Sequence, residues 1–349
     1  MGNRIGLVGY SSPTGLGELN RQIATYIPID SWAVIEHGRH GVVRENLSLA
    51  SKSFVVPRNR VATANRIINE VDTLLFCETD YVPGLSQRAK VAGKRVVCVP
   101  MLEWTPNAGQ GFTPYVDLFI CPTRVCYERL SEEGLPCVYF GWPTDTIKFS
   151  PIEFQTDVVN SFLYVHGTGG WNDRKGLSIV MKALEIEPDL PLRVVSQTPN
   201  NPLKSLVKVD SSHVVSTSIY RHPLGRSEVL IAPHHVDGLG LQQIEAMCCG
   251  IPVITPDSSP WDELPAIRRL PVSSKNSIKI KRTMDWVNVS PIDLVDTCLD
   301  LLGEDIQQAR NEALNWASSM SWSSELIQSQ FCNLVTGDQP LPVLVGTGT

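Results

Sequence analysis

The chain has 349 residues, 42% of them hydrophobic and 19% charged, with a formal net charge of −6. That length exceeds one ordinary small domain and suits two of roughly 150 residues each; the composition excludes a disordered chain, and no run approaches the roughly 20 apolar residues of a membrane-spanning helix. Nine cysteines, set mostly in apolar runs, read as reduced core residues, and the start "MGNRIGLVGYSSPTG" lacks the layout of a signal peptide, so the cytoplasm is the expected compartment.

In chain order, strand-length apolar runs open the first half: "IGLVGY", "WAVIEH", "SFVVP", "DTLLFCE", "RVVCVP", "DLFICP" and "CVYFG", with helix-compatible stretches between most of them. Continuous apolar strands alternating with helices predict a parallel sheet covered on both faces. After the first run comes "SPTGLGELNRQIA". Gly15-Leu16-Gly17 falls short of a dinucleotide fingerprint, because Asn20 stands where a third glycine is needed, although Glu36 lies at a suitable distance. From Glu36 to Arg66 the chain is locally basic, with Arg39, Arg44, Lys52, Arg58, Arg60 and Arg66 against Glu36 and Glu45. Later strand ends deliver Glu78 and Asp80, then Glu103 and Trp104, to the edge of the sheet where α/β proteins bind ligands.

A proline-rich, polar stretch from Gly141 to Asp157 reads as a linker, after which the pattern restarts with "SFLYVHG", "LRVVSQ", "HVVST", "EVLIAPH" and "IPVITP". The chain is therefore expected to be α/β, two doubly wound Rossmann-like domains facing a central cleft. Residues 1–145 form the N-terminal, acceptor-side domain and 146–320 the C-terminal one; 321–336 form a closing helix that packs back toward the N-terminal domain, and 337–349 a loose tail. The acidity belongs to the second half: up to Asp145 there are 14 basic and 14 acidic side chains, beyond it 16 and 22.

Two stretches of the second half carry chemistry. "HGTGGWNDRKG" puts Arg174 and Lys175 before an amphipathic helix; it is not a P-loop, since glycine follows the lysine rather than preceding it. "HHVDGLGLQQIEAMCCGIPVITP" reads as a turn and then a helix, with Asp237 before it and Glu245 two turns into it. Gly238 and Gly240 let backbone approach a ligand, and the first free N–H groups of the helix suit a phosphate. Read alone, this stretch fits equally well a helix that Asp237 merely caps, with Glu245 in solvent. His234-His235 and Cys248-Cys249 are adjacent pairs whose side chains point apart, so no metal site is expected.

Four segments in order resemble a known family. "GWPTDTIKFSP", "RKGLSIVMKAL", "DGLGLQQIEAMCCGIPVI" and "SMSWSSELIQSQFCNLV" are similar to the interdomain segment, phosphate-lysine helix, acidic-x7-Glu signature and closing helix of GT-B glycosyltransferases of the large retaining family four. The resemblance covers the second half well, and the first by architecture and the "SPTGLGELNRQIA" loop-helix. It implies a nucleoside-diphosphate-sugar donor as substrate, with no further cofactor and no metal. Lys175 would hold the donor pyrophosphate, with Arg174 beside it. Glu245 would hold the ribose. Asp237 and the amides of Leu239, Gly240 and Leu241, after Gly238, would meet the sugar and phosphate, while the turn at Gly15 and Gly17 faces them and His234 lines the donor pocket. Two features depart from the family: Asp237 replaces its usual Glu, and the Arg expected near Thr168 is absent, Arg174 adjoining the lysine instead. On the acceptor side Glu103 would orient or deprotonate a hydroxyl and Trp104 stack on a ring; the same residues fit equally well a Glu103 that caps the following turn and a Trp104 that packs the interface. The acceptor is a glycan, a small molecule or a hydroxylated base in DNA, the last held by Arg58, Arg60 and a second basic cluster at Lys275, Lys279, Lys281 and Arg282; the alternative for these cations is that they are solvated surface charges. An NAD-dependent oxidoreductase and a catalytically silent nucleotide-sugar-binding protein are the alternatives.

Overall fold

The computed structural model describes residues 3–154, 156–168, 171–198, 201–207, 209–210, 220 and 227–338. They divide into two units. The first comprises residues 1–142, 280–282 and 322–349; the second comprises 143–279 and 283–321.

In the first unit the apolar runs become strands, buried on both faces in the middle of the sheet and partly exposed at its two edges. The strands are β1 (Ile5–Tyr10), β2 (Ser31–Ile35), β3 (Lys52–Val56), β4 (Thr73–Cys77), β5 (Arg95–Val99), β6 (Leu118–Cys121) and β7 (Cys137–Tyr139). All pair in parallel in the order β3-β2-β1-β4-β5-β6-β7, so the strand order reverses between β1 and β4. Helices α1 (Gly15–Tyr26), α2 (Leu85–Val91) and α3 (Arg124–Glu132) cover the sheet. Thr14 caps α1 by accepting a hydrogen bond from the Gly17 N–H. A Cβ at Gly17 would overlap the Ser12 carbonyl oxygen, so glycine is required where the helix leaves the strand. Gly15 and Gly17 are thus the first turn of a helix, not a separate turn.

The second unit repeats the plan with β8 (Ser161–Gly167), β9 (Leu192–Ser196), β10 (Val209–Asp210), β11 (Glu228–Ile231), β12 (Val253–Pro256) and β13 (Arg268–Leu270), parallel in the order β10-β9-β8-β11-β12-β13. Its core gathers Phe162, Tyr164, Val180, Val229, Leu294 and Cys298. Helix α4 (Leu177–Ile186) packs with α6 (Pro291–Leu301), and α5 (Leu241–Cys248) with α7 (Gln307–Ser319). The expected strand "HVVST" lies outside the described residues, as does the tail beyond Asp338.

One element is absent from the sequence reading. Residues read as a basic surface cluster form an antiparallel hairpin, β14 (Val272–Lys279) and β15 (Thr283–Val289). Lys275, Lys279 and Lys281 are exposed, but Arg282 belongs to the first unit and is buried there. It donates to the Thr105 and Pro106 carbonyls at 2.9 Å each and pairs with Glu133 at 2.5 Å. A guanidinium so satisfied is not a surface charge, which corrects its place in the cluster.

The segment after Ser321 also belongs to the first unit, where α8 (Glu325–Thr336) contacts β4 and β6. Trp322 stacks on Tyr26 and meets Trp142 and Phe331 edge-on. The Gln22 side-chain oxygen accepts the indole N–H of Trp142 at 2.8 Å and that of Trp322 at 3.3 Å. Among the described residues no helix is long and apolar enough to cross a membrane.

Candidate functional site

Two loops at the C-terminal ends of adjacent strands of the second unit meet. The loop after β8 runs through Asn172 and Asp173, both in the left-handed region at φ 48° and 59°, to Lys175 and α4. Gly176, at φ 72°, would place a Cβ against the Pro233 carbonyl, so backbone packs directly on the loop after β11. The His235 N–H donates to the Arg174 carbonyl at 2.9 Å, and the Tyr164 hydroxyl to the Lys175 carbonyl at 3.1 Å.

This contact puts Lys175 Nζ 2.8 Å from Asp237 Oδ2, with both side chains only 10% exposed. Such burial makes each charge dependent on the other. His234 Nδ1 lies 3.3 Å from the same oxygen. Burial opposes the Asp237 charge, but Lys175, the His234 hydrogen bond and Arg174 outweigh it and hold the carboxyl well below its usual range. The His234 imidazole is pushed down to about 4 by burial and then by Lys175, so it is neutral at pH 7. His235 is held otherwise: it stacks on Trp286 at 4.5 Å between centroids, and its Nδ1 is 2.6 Å from the Val287 carbonyl.

After Asp237 come the buried Gly238, Leu239 and Gly240, and α5 begins at Leu241. Its first N–H groups have no acceptor four residues back, as at any helix start, and they follow the carboxylate directly. Glu245 therefore stands one turn into the helix, not two. It is 4% exposed, and Tyr220 donates its hydroxyl hydrogen to Glu245 Oε2 at 2.8 Å and Gln242 O at 3.2 Å. That excludes the solvent-facing alternative for Glu245.

Arg174, Lys175, His234, Asp237, Gly238, Leu239, Gly240, Leu241 and Glu245 thus lie on two contiguous loops and one helix start. The remaining expected residues are in the first unit, after three different strands. Gly15 and Gly17 open α1 after β1; Arg58 and Arg60 begin the 3-10 stretch Arg58–Asn69 after β3; and Glu103 and Trp104 form the 3-10 turn Leu102–Trp104 after β5. Glu103 is 2% exposed, while Arg58 and Arg60 are exposed. Tyr164, Tyr220 and Trp286 support the site yet carry no local signal, since each acts through a partner distant in sequence. Among the described residues no group of three or more His, Cys, Asp or Glu side chains could hold a metal ion.

The sequence matches no protein-family model and no curated protein. Solved structures do resemble it. Anabaena HepE, solved in complex with UDP-glucose, superposes with a TM-score of 0.71 at 14% identity, covering 96% of this chain and 100% of that one. The sucrose-phosphate synthase of Thermosynechococcus elongatus gives 0.61 at 13% identity over 95% and 98%, and the lipopolysaccharide outer core galactosyltransferase WaaB 0.58 at 14% over 96% and 100%. The fold is that of the GT-B glycosyltransferases, with two parallel-sheet Rossmann-like domains. At these identities the likeness establishes architecture, and the chemistry rests on the residues.

Proposed function

We propose that the protein is a retaining glycosyltransferase of the acidic-x7-Glu type, which moves a sugar from a nucleoside-diphosphate sugar to an acceptor hydroxyl. The observation that carries this reading is the buried Lys175–Asp237 pair just before α5, with the oriented Glu245 one turn into that helix. Lys175, held by Asp237, would bring its ammonium charge to the donor diphosphate beside the α5 amides. Asp237, kept ionised, accepts from sugar hydroxyls, and Glu245, aligned by Tyr220, accepts from the ribose.

In the transfer, the bond from the anomeric carbon to the phosphate oxygen breaks and its electron pair stays on that oxygen. The acceptor hydroxyl oxygen bonds to the same carbon, on the face the phosphate leaves, and its proton passes to the departing phosphate. Positive charge builds on the sugar and negative charge on the diphosphate, where Lys175 and the α5 amides stand ready. Glu103 and Trp104 are assigned to the acceptor, a glycan, a small molecule or a hydroxylated base in DNA. The nine free cysteines, seven of them buried, fit a cytoplasmic setting.

HepE was solved with UDP and with UDP-glucose, so uridine diphosphate sugars head the donor screen. Release of nucleoside diphosphate is the readout, and Lys175→Met should lower it by about 100-fold or more, the scale of losing a preorganised charge at the transition state. Removing Lys175 alone strands Asp237, so the double variant Lys175→Met with Asp237→Asn is run beside it; it should recover stability without recovering turnover. Near-normal turnover in either variant removes Lys175 from the chemistry. Nicotinamide turnover in place of diphosphate release would establish a dehydrogenase, and nucleotide binding without release a silent binding protein.

A further inference from the structure

The first unit has a cavity of about 590 Å3 at the C-terminal ends of β1 to β4, lined by Tyr10, Glu36, His37, Arg39, Arg58 and Tyr81 among others. This is the edge where the strand order reverses, and the volume lies within the roughly 300–1,000 Å3 of small-molecule sites. We propose that this cavity binds a ring carrying a phosphate group, with the ring against Tyr10, His37 and Tyr81 and the phosphate on Arg39 and Arg58. Calling that ligand the acceptor rests on the glycosyltransferase reading; the binding itself does not.

The aromatic wall is built. Tyr10 meets Tyr81 at 4.8 Å and His37 at 4.9 Å, both edge-on, which leaves ring faces able to take a sugar or a base. The Tyr81 hydroxyl is buried with no hydrogen-bond partner among the described residues, so what Tyr81 offers the cavity is its ring. His37 Nδ1 accepts the Arg39 and His40 N–H groups at 3.2 and 3.3 Å, which leaves Nε2–H as a donor.

Of the six cations in the basic run, two are engaged away from the cavity and two line it. Within the basic run, Lys52 is paired with Glu70 at 2.7 Å, and Arg66 lies 3.4 Å over the Phe54 ring. Arg39 and Arg58 have no ion pair among the described residues and both line the cavity. The Arg58 guanidinium packs against Gly38, where any Cβ would displace it. Its charge is felt inside: burial first, then His40, Arg58 and Arg39 depress the His37 pKa, and Arg58 partly offsets the rise that burial and Glu78 cause at Tyr10. Glu36, also in the lining, suits ring hydroxyls.

Calorimetry on the full chain tests this with glucose 6-phosphate against glucose, and deoxycytidine 5′-monophosphate against deoxycytidine. A short single-stranded oligodeoxynucleotide is the third probe. At least one phosphate-bearing probe should saturate, with any phosphate-free counterpart at least about tenfold weaker; the preferred probe identifies a free sugar phosphate or a nucleic-acid strand as the source. Arg58→Ala and, separately, Arg39→Ala should weaken that binding about tenfold or more, and Tyr81→Leu, which removes the ring, severalfold, while the double variant Lys175→Met with Asp237→Asn leaves it intact. No saturable binding, equal binding of the phosphate-free ring, or binding lost in that double variant but kept in Arg58→Ala overturns the proposal. Nucleoside diphosphate affinity on the same samples reports on the donor reading separately.

Discussion

Lys175 and Asp237 stand 62 positions apart and meet only because each follows a strand that its neighbour pairs with, β8 beside β11. Next to them His234 carries a testable signature. Its pKa falls from an ordinary 6.5 to about 4 because burial and the Lys175 charge disfavour the imidazolium. The unfolded chain therefore binds the extra proton first as pH falls. Stability is complete above about pH 6.5 and is lost progressively toward pH 4, by about 3 kcal/mol from this group. Asp237 has the opposite chemistry, and its contribution is lost only below the ordinary carboxylate range. Urea midpoints at pH 7.5, 5.5 and 4.5 should converge between wild type and His234→Gln as pH drops; parallel curves would exclude His234 as the source. The residues of this site were legible because glycines, a lysine and two carboxylates cluster beside strand-like runs. Arg282 was not: in "KIKR" it reads as one more surface cation, and its burial depends on Glu133, 149 positions away.

At the scale of elements, alternation of strand and helix was readable because parallel strands buried on both faces leave unbroken apolar runs. The β14–β15 hairpin was missed because most of its side chains are polar and exposed, so no apolar run marks it. Nor could local sequence reveal that Trp142 and Trp322 share one hydrogen-bond acceptor on α1. Gln22 is that acceptor, for two buried indoles. Gln22→Leu keeps the volume but strands both N–H groups, and should cost about 2–4 kcal/mol. Guanidinium denaturation measures it. A loss below about 0.5 kcal/mol would mean that the indoles find other acceptors.

For the molecule as a whole, the two-sheet plan was read from the repeated pattern, and 13–14% identity to proteins of the same fold explains why architecture survives where pairwise sequence signal has faded. If Lys175 and the helix amides carry the leaving-group charge, diphosphate release should persist in excess EDTA. Complete loss, restored by a divalent cation, would overturn that placement.

The Gln22–Trp322 bond also has a history in time. Three hundred residues separate its ends, and at about 5–20 residues per second the ribosome needs about 15–60 s to supply the second after the first. For the last 180 residues of that stretch, about 9–36 s between Trp142 and Trp322, the nascent first unit lacks α8 and the apolar surface of Phe140 and Trp142 is uncovered. The order of the elements therefore sets how long that flank waits for its cover.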